Sequence, residues 1–377
     1  MKVLSVTPHV LRCSVAIPFQ SAFSTFHDRW ACLVEIACEG GIAGWGECLG
    51  PALPNAALVQ AMAPLVIGRD ARDIEPIWAE VYNQFRDQGQ RGATMTAQSG
   101  LDIALWDAVG KHYGEPVWRL MGGAFRLDIP AYATGGFRQV GRDRVAALVE
   151  EVSAYAAQGF GATKIKIGHG FGDDLASIAA VRRAIGPDMR LMIDANHGFD
   201  ALEAAALGRA AAAHDVEWFE EPVAPEHLDA YGEVRRSQPI PVAGGETWHG
   251  RSAFAQALAA KAVDVLQPDV CGCGGITEMR KIVAMAETAG VRVVPHVWGT
   301  AVAMAASLHV IATIPDQPRR HRPRAPWFEF DQTPHAYRQE IATRPIACAN
   351  GVVRPPEGPG LGVEIDRAVL AKFRVGP

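Results

Sequence analysis

The sequence predicts an α/β fold: a (β/α)8 barrel preceded by an N-terminal α+β unit and followed by a short segment that completes that unit. Three observations predict it. From about residue 127 onward, short apolar strands alternate with helical stretches eight times over about 200 residues. Charged side chains fall at the C-terminal ends of successive strands, one βα unit apart. The first 125 residues lack this alternation and read as three strands followed by four helices. The divisions predicted are 1–125, 126–345 and 346–377.

In chain order, Val3–Val15 and Ala31–Glu39 alternate as strands, Gly40-Gly41 makes a tight turn, and Ile42–Cys48 returns as a third strand. Between the first two strands lies Phe19-Gln-Ser-Ala-Phe-Ser-Thr-Phe-His27, read as a loop. Its aromatic content suits either local packing or a lid over a pocket. Helical patterns follow at 54–66, 73–86, 95–112 and 115–121, the last ended by Gly122-Gly123.

The barrel strands are read at Pro130–Thr134, Lys164–Ile167, Arg190–Asp194, Glu217–Glu220, Pro241–Gly245, Val263–Gln267, Val291–Pro295 and Pro326–Glu329. Helical segments such as Val145–Ala157, Leu175–Ile185, Leu202–Ala213 and Glu278–Gly290 separate them. Asn350–Pro356 and Gly358–Ile365 read as strands that leave the barrel and rejoin the first unit.

Composition sets the functional class. The chain has 377 residues, 49% of them hydrophobic and 20% charged, with a formal net charge of −5. That balance describes an ordinary globular protein and offers no basic surface for nucleic acid or an anionic membrane. Arg319-Arg320-His321-Arg322-Pro-Arg324 is basic but short, as a solvated loop would be. No apolar stretch reaches membrane-spanning length and no signal peptide is apparent, which with seven scattered cysteines fits a reducing cytoplasm. Cys271-Gly-Cys273 has the wrong spacing for a zinc knuckle and no second pair.

The chemistry begins at Lys164-Ile-Lys166. In a strand, residues i and i+2 share a face, so two ammonium groups project together, at a cost in desolvation and repulsion. Two surface lysines on an edge strand would be the ordinary explanation. The residues downstream argue otherwise: Asp194, Glu220, Glu246, Asp269, His296 and Glu329 follow at steps of 30, 26, 26, 23, 27 and 33 residues. Residues at the C-terminal ends of barrel strands converge on one mouth. Asp194, Glu220 and Glu246 would repel one another unless a hard divalent cation sat among them. Oxygen-only ligands suit Mg²⁺, with Mn²⁺ as a substitute. Asn196 is placed to support Asp194 from behind.

Such a cation and a lysine base together suit removal of the proton α to a carboxylate. Lys166 is the base, with Lys164 and the cation lowering its pKa. His296, oriented by Asp269, is a second acid/base on the opposite face of the substrate. A Schiff-base aldolase built on Lys166 would have no use for the carboxylates. A non-catalytic barrel would leave the Lys, Asp and His set unexplained.

Lys164-x-Lys166, Asp194-Ala-Asn196, Glu220-Glu-Pro, Gly245-Glu246, Asp269 and His296 together resemble the enolase superfamily, mandelate racemase subgroup. The resemblance spans the chain. It implies a modified barrel with an α+β capping domain completed by the C-terminal segment, Lys166 and His296 as paired bases, and Glu329 beside the substrate carboxylate. It also implies a homo-oligomer acting on a small acid sugar or its lactone. Gly44–Pro51, Arg86–Gly92, Ala243–Gly250 and Pro295–Gly299 are similar to members that open hexarolactones such as D-galactaro-1,4-lactone or D-glucaro-1,4-lactone to a 3-deoxy-2-keto-hexarate. An acid-sugar dehydratase, and after it a racemase or epimerase, are the alternatives. Substrate choice is expected to lie with Phe19, Phe26, His27, Pro51, Arg91 and Trp298.

Overall fold

A computed structural model describes residues 1–317, 321 and 324–376. Arg319, Arg320 and Arg322 of the basic cluster lie outside the described residues.

Strands β1 (Val3–Gln20), β2 (Thr25–Cys38) and β3 (Ile42–Cys48) form an antiparallel sheet, and helices α1 (Ala52–Met62), α2 (Ile74–Phe85), α3 (Ala93–Tyr113) and α4 (Val117–Leu120) follow. The segment read as a loop at 19–27 is mostly strand. Phe19 pairs with Phe26 and Gln20 with Thr25, leaving only residues 21–24 as the turn. Aromatic side chains stabilise cross-strand pairs, and the Phe19 and Phe26 rings stack at 5.2 Å. Polar Gln, Ser and Thr between them had obscured the alternation.

Helix α3 is buried along almost its whole length, between this sheet and the barrel. It lies so close to β3 that a Cβ on Gly44 or Gly46 would sit 2.1 or 2.0 Å from the carbonyl oxygens of Ala104 and Gly100. The two glycines of Gly44-Trp-Gly46 are therefore a packing requirement.

The barrel strands are β4 (Ile129–Thr134), β6 (Ala162–Lys166), β7 (Arg190–Asp194), β8 (Val216–Glu220), β9 (Val242–Gly244), β10 (Val265–Leu266), β11 (Arg292–Val293) and β12 (Phe328–Asp331). Their ladder runs in parallel from β11 back through β6 to β4, and β12 returns to pair with β4, the arrangement of a (β/α)8 barrel. Between β4 and β6, the short strand β5 (Arg138–Gln139) pairs with the end of β1, fastening the first hairpin to the barrel. The outer helices are α5 (Arg144–Ala157), α6 (Phe171–Ile185), α7 (Ala201–Ala211), α8 (Leu228–Ser237), α9 (Gly250–Ala259), α10 (Gly275–Ala289) and α11 (Ala301–Ala312). Helix α11 is apolar on every side because all of it is buried, so it shows no helical periodicity.

The C-terminal expectation needs correction. Cys348–Ala349 (β13) and Val352–Val353 (β14) form a hairpin, and β14 pairs antiparallel with β4, so this part stays with the barrel. Residues 358–365 are not a strand. They return to the first unit through Gly360, which accepts from the Val117 amide, and Leu361, whose amide donates to Asp107. A last helix, α12 (Arg367–Phe373), follows. Among the described residues no helix is long and apolar enough to cross a membrane.

The barrel interior carries its own buried cluster: Tyr132, Ala162, Met192, Trp218, Ala243, Val265 and Val294. Ala162, Met192, Trp218 and Val294 each stand two residues before Lys164, Asp194, Glu220 and His296, so strand alternation places the charged layer directly above an apolar floor.

Candidate active site

The charged layer follows from the register. Lys166 pairs with Asp194 and Asp194 with Glu220 across β6, β7 and β8, so their side chains stand side by side. Glu246 comes from the turn after β9. Oxygen atoms of Asp194, Glu220 and Glu246 lie within 4.8 Å of one another. Glu221 faces away, accepting from Thr247 (3.3 Å) with His197 3.2 Å off. Asn196, His197 and Glu221 all have positive φ (40°, 61° and 42°), so backbone strain gathers where the carboxylates converge.

Lys164 is wholly buried. It donates to Glu220, stands 2.7 Å from Glu329 and is 3.8 Å from Asp194. Lys166 donates to Asp194 and lies 5.0 Å from the centre of the Phe137 ring. Burial alone would discharge both lysines. Glu220 and Glu329 outweigh it for Lys164, and Asp194 does so for Lys166, so both ammonium groups are held above their ordinary pKa. The expected lowering of Lys166 is therefore not a property of the protein alone; Lys164 pulls in that direction, but more weakly than Asp194. Burial raises Asp194, yet Lys166 and Lys164 bring it below its usual value. Burial and its carboxylate neighbours push Glu220 up to about 7, against the pull of Lys164.

These residues fit a divalent cation. Three carboxylates converge in a buried layer, every donor is an oxygen, and in the protein alone two of them borrow lysines as counter-charges. Asn196 supports Asp194, its amide donating at 2.9 Å and its side-chain nitrogen at 3.4 Å. Its own Oδ1 is buried without a partner. Glu220 also accepts from Trp218 Nε1 (2.9 Å) and Gln267 Nε2 (2.6 Å), two supports not anticipated from the sequence. Gln267 was legible as the residue two after Val265 on the same strand face.

Across the mouth, His296 Nδ1 is 2.7 Å from Asp269 Oδ2 and Nε2 is 3.2 Å from Glu246. Burial disfavours the imidazolium, but Glu246, Glu329 and Asp269 outweigh it and lift the pKa to about 10. Glu329 accepts from the Val297 amide at 3.2 Å, joining β12 to the loop that carries His296.

Lys166 and His296 line one cavity together with Asn196, Glu246, Glu329, Phe26, Trp298, Ser21, Phe23, Thr134 and Phe137. Of the specificity candidates, Phe26 and Trp298 face it. Phe19 stands one layer behind, stacked on Phe26 and edge-on to Phe137. The others are placed elsewhere. His27 is exposed, because β2 alternates and Phe26 takes the inner face. Pro51 is exposed at the start of α1. Arg91 borders a separate cavity with Trp78, Tyr82 and His249. Ser21 and Phe23, from the hairpin turn, and Thr134 and Phe137, from the end of β4 and the loop beyond, were not singled out from the sequence. Phe23 stacks on His197 at 5.3 Å, laying the turn across the mouth.

The chain matches two family descriptions: mandelate racemase / muconate lactonizing enzyme, N-terminal domain, over residues 5–122, and enolase C-terminal domain-like over residues 147–369. It is 55% identical over 375 residues to D-galactarolactone cycloisomerase of Agrobacterium fabrum, covering 100% of this chain and 99% of that one. It is 32% identical to arabinonate dehydratase of Saccharolobus solfataricus, over 92% of this chain and 91% of the relative. A racemase from Streptomyces coelicolor A3(2), solved with bound magnesium, superposes with a TM-score of 0.89 at 27% identity, covering 99% of this chain and 100% of that one.

Proposed function

The chain belongs to the mandelate racemase / muconate lactonizing enzyme family of the enolase superfamily, and from that premise we propose that it is a cycloisomerase that opens a hexarolactone by α-proton removal and β-elimination. The observation that carries this reading is the 55% identity, end to end, with D-galactarolactone cycloisomerase. The substrate class is D-galactaro-1,4-lactone or its glucaro analogue, and the product a 3-deoxy-2-keto-hexarate. The reading includes the division into a capping unit (1–125), a barrel (126–345) and a C-terminal segment (346–377).

Asp194, Glu220 and Glu246 would hold Mg²⁺, or Mn²⁺ in its place. When bound, the cation supplies positive charge to the substrate carboxylate and takes over the counter-charge that Asp194 draws from Lys166. Lys164 orients that carboxylate from the other side, with Glu329 beside it as the partner of Lys164. Lys166 Nζ takes the α-proton. The C–H electron pair becomes the new C=C bond, and the β-carbon's bond to the ring oxygen breaks. The ring oxygen leaves as a carboxylate, and the enol then ketonises with a proton delivered to the β-carbon. His296, held by Asp269, faces the substrate from the opposite wall and supplies that proton, the enol hydroxyl proton passing to solvent. Phe26, Phe137 and Trp298 keep water out.

A carboxylate leaving group, whose parent acid has a pKa of roughly 4, departs far more readily than hydroxide, with a parent near about 15.7. Lactone opening therefore needs less acid assistance than dehydration of an open acid sugar. The second reading is an acid-sugar dehydratase, favoured by the likeness to arabinonate dehydratase; inversion without elimination, as in a racemase, stands third. The test is a panel of hexarolactones and open acid sugars with Mg²⁺, repeated with EDTA. Loss of water from an open aldarate while lactones stay inert would replace the first reading with the second.

A further inference from the structure

We propose that Glu47 and Asp102, two carboxylates of the N-terminal unit, are positioning residues for the Asp269–His296 pair. Each satisfies the start of the barrel helix that follows one member of the pair.

Helix N-termini leave amide groups without partners inside the helix, and a nearby residue of the same segment ordinarily satisfies them. Here partners also come from another unit, beside the local cap that Thr300 Oγ1 gives the Val302 amide (3.2 Å). Glu47, at the end of β3, accepts from the Thr300 amide (3.0 Å), the Thr300 hydroxyl (2.6 Å) and the Ala303 amide (3.0 Å), at the first turn of α11. Asp102, on α3, accepts from the Thr277 amide (2.9 Å) at the first turn of α10. Around it, Ser99 Oγ accepts from the Gly274 amide (2.9 Å), and Trp106 Nε1 donates to Thr277 Oγ1 (2.9 Å). Both carboxylates are buried, 3% and 2% exposed, and the positive ends of the two helices face them.

The catalytic side chains sit just upstream. His296 is four residues before Thr300, and Asp269 six before Gly275. The two residues form an isolated parallel bridge, so neither is locked into a long strand. What fixes them is the turn that follows each. The loop after Asp269 is wound tightly on itself, the amides of Cys271, Gly272 and Cys273 all donating back to Asp269, and Leu49 at the end of β3 donates to the Cys271 carbonyl.

The receiving loops are shaped for the incoming carboxylates. A Cβ on Gly299 would stand 2.8 Å from Glu47 Oε1, and one on Gly275 would stand 2.3 Å from Asp102 Oδ2. Gly275 also has a left-handed backbone (φ 84°) that favours glycine, while at Gly299 the nearest atom to the added Cβ would be Ala303 Cβ, at 2.6 Å. On the opposite wall, the amides that follow Lys166 donate to Asp174 of the same segment, so among the described residues the carboxylates of the N-terminal unit hold one half of the acid/base pair.

The inference rests on the reading of His296 as the second acid/base, and the test separates the two. Its probe is the low-field proton resonance of the His296 Nδ1–H···Asp269 hydrogen bond, assigned by its loss in His296→Asn. Glu47→Ala and Asp102→Ala are expected to shift or broaden that resonance and to lower kcat about 10- to 100-fold, with KM little changed. Glu47→Gln, which keeps one acceptor oxygen, should recover part of both. Gly299→Ala should reproduce the defect with Glu47 still present, and together with Glu47→Gln it decides the matter if Glu47→Ala does not fold. Folded variants with lower Tm but unchanged resonance and kcat would make these carboxylates mere adhesive between units and overturn the inference. Full activity in His296→Asn would instead overturn the reading of the pair itself.

Discussion

Replacing Lys164 with methionine removes a buried charge while keeping much of its volume. The ammonium it removes donates to Glu220, stands 2.7 Å from Glu329 and is fully buried. Breaking a buried ion pair from one side costs about 3–5 kcal/mol, because the remaining charges keep their desolvation penalty. Unfolding entropy of about 2.1 cal/mol/K per residue, taken over 377 residues, makes each kcal/mol worth roughly 1.3 °C. The variant should therefore melt roughly 5 °C below the parent in EDTA. Mg²⁺ at about a hundred times its Kd adds about 2.7 kcal/mol to any protein that binds it only when folded. Carboxylates stripped of Lys164 should hold it more tightly, so the Mg²⁺-minus-EDTA difference in Tm should be larger in Lys164→Met than in the parent. The assay is a thermal melt of both proteins in both buffers. An unchanged Tm in EDTA, or an equal metal-induced difference, would refute the claim that Lys164 neutralises the same oxygens a cation would take.

Lys166→Ala should abolish exchange of the substrate α-proton with deuterated solvent, read by NMR, while substrate still protects the folded protein in a thermal melt; retained exchange would assign the base elsewhere. Asp269→Asn should lower kcat about 10²- to 10⁴-fold, because a neutral amide replaces the carboxylate that holds Nδ1 of His296 and stabilises its imidazolium; a loss under tenfold in steady-state assays would count against the pairing. His309 on α11 is fully buried, and burial lowers its pKa to about 4 from an unfolded value near 6.5. The stability of its neutral form is complete above pH 6.5 and is lost as pH falls from 6.5 toward 4, about 3 kcal/mol in all. His309→Gln should flatten the urea midpoint across that window, and identical pH slopes for variant and parent would rule His309 out as a source of acid sensitivity.

The barrel was legible because its strands are short apolar runs ending in charge, and a charged residue recurring at each strand end is a pattern no single strand contains. Lys164 and Lys166 stand out as a lysine pair within a β-branched strand, and Asp194, Glu220, Glu246, Asp269, His296 and Glu329 follow from that spacing; the fold gathers them at one mouth. What surrounds them was less legible. Phe137 and Thr134 line the cavity because of the turn at Gly135-Gly136, and Ser21 and Phe23 reach it because the hairpin is longer than its polar residues suggested. His27, Pro51 and Arg91 shared segments with residues near the site, yet strand alternation or chain direction carried them away. Gly358–Ile365 looked extended but pairs through isolated contacts only. Support from a distant segment, as Asp107 gives the Leu361 amide, has no local sequence signature.

The apolar floor beneath the charged layer has a consequence for proton traffic. Tyr132, Met192, Trp218 and Val294 pack beneath the site, and the hairpin turn stands at its mouth, with Phe23 stacked on His197. Under the proposed mechanism, a proton taken up by Lys166 meets a buried apolar cluster below it and exchanges with solvent on the cavity side, where Phe23 and His197 stand. Exchange of that proton with solvent is therefore expected to depend on the turn of residues 21–24, read from the deuterium content of product formed in deuterated water.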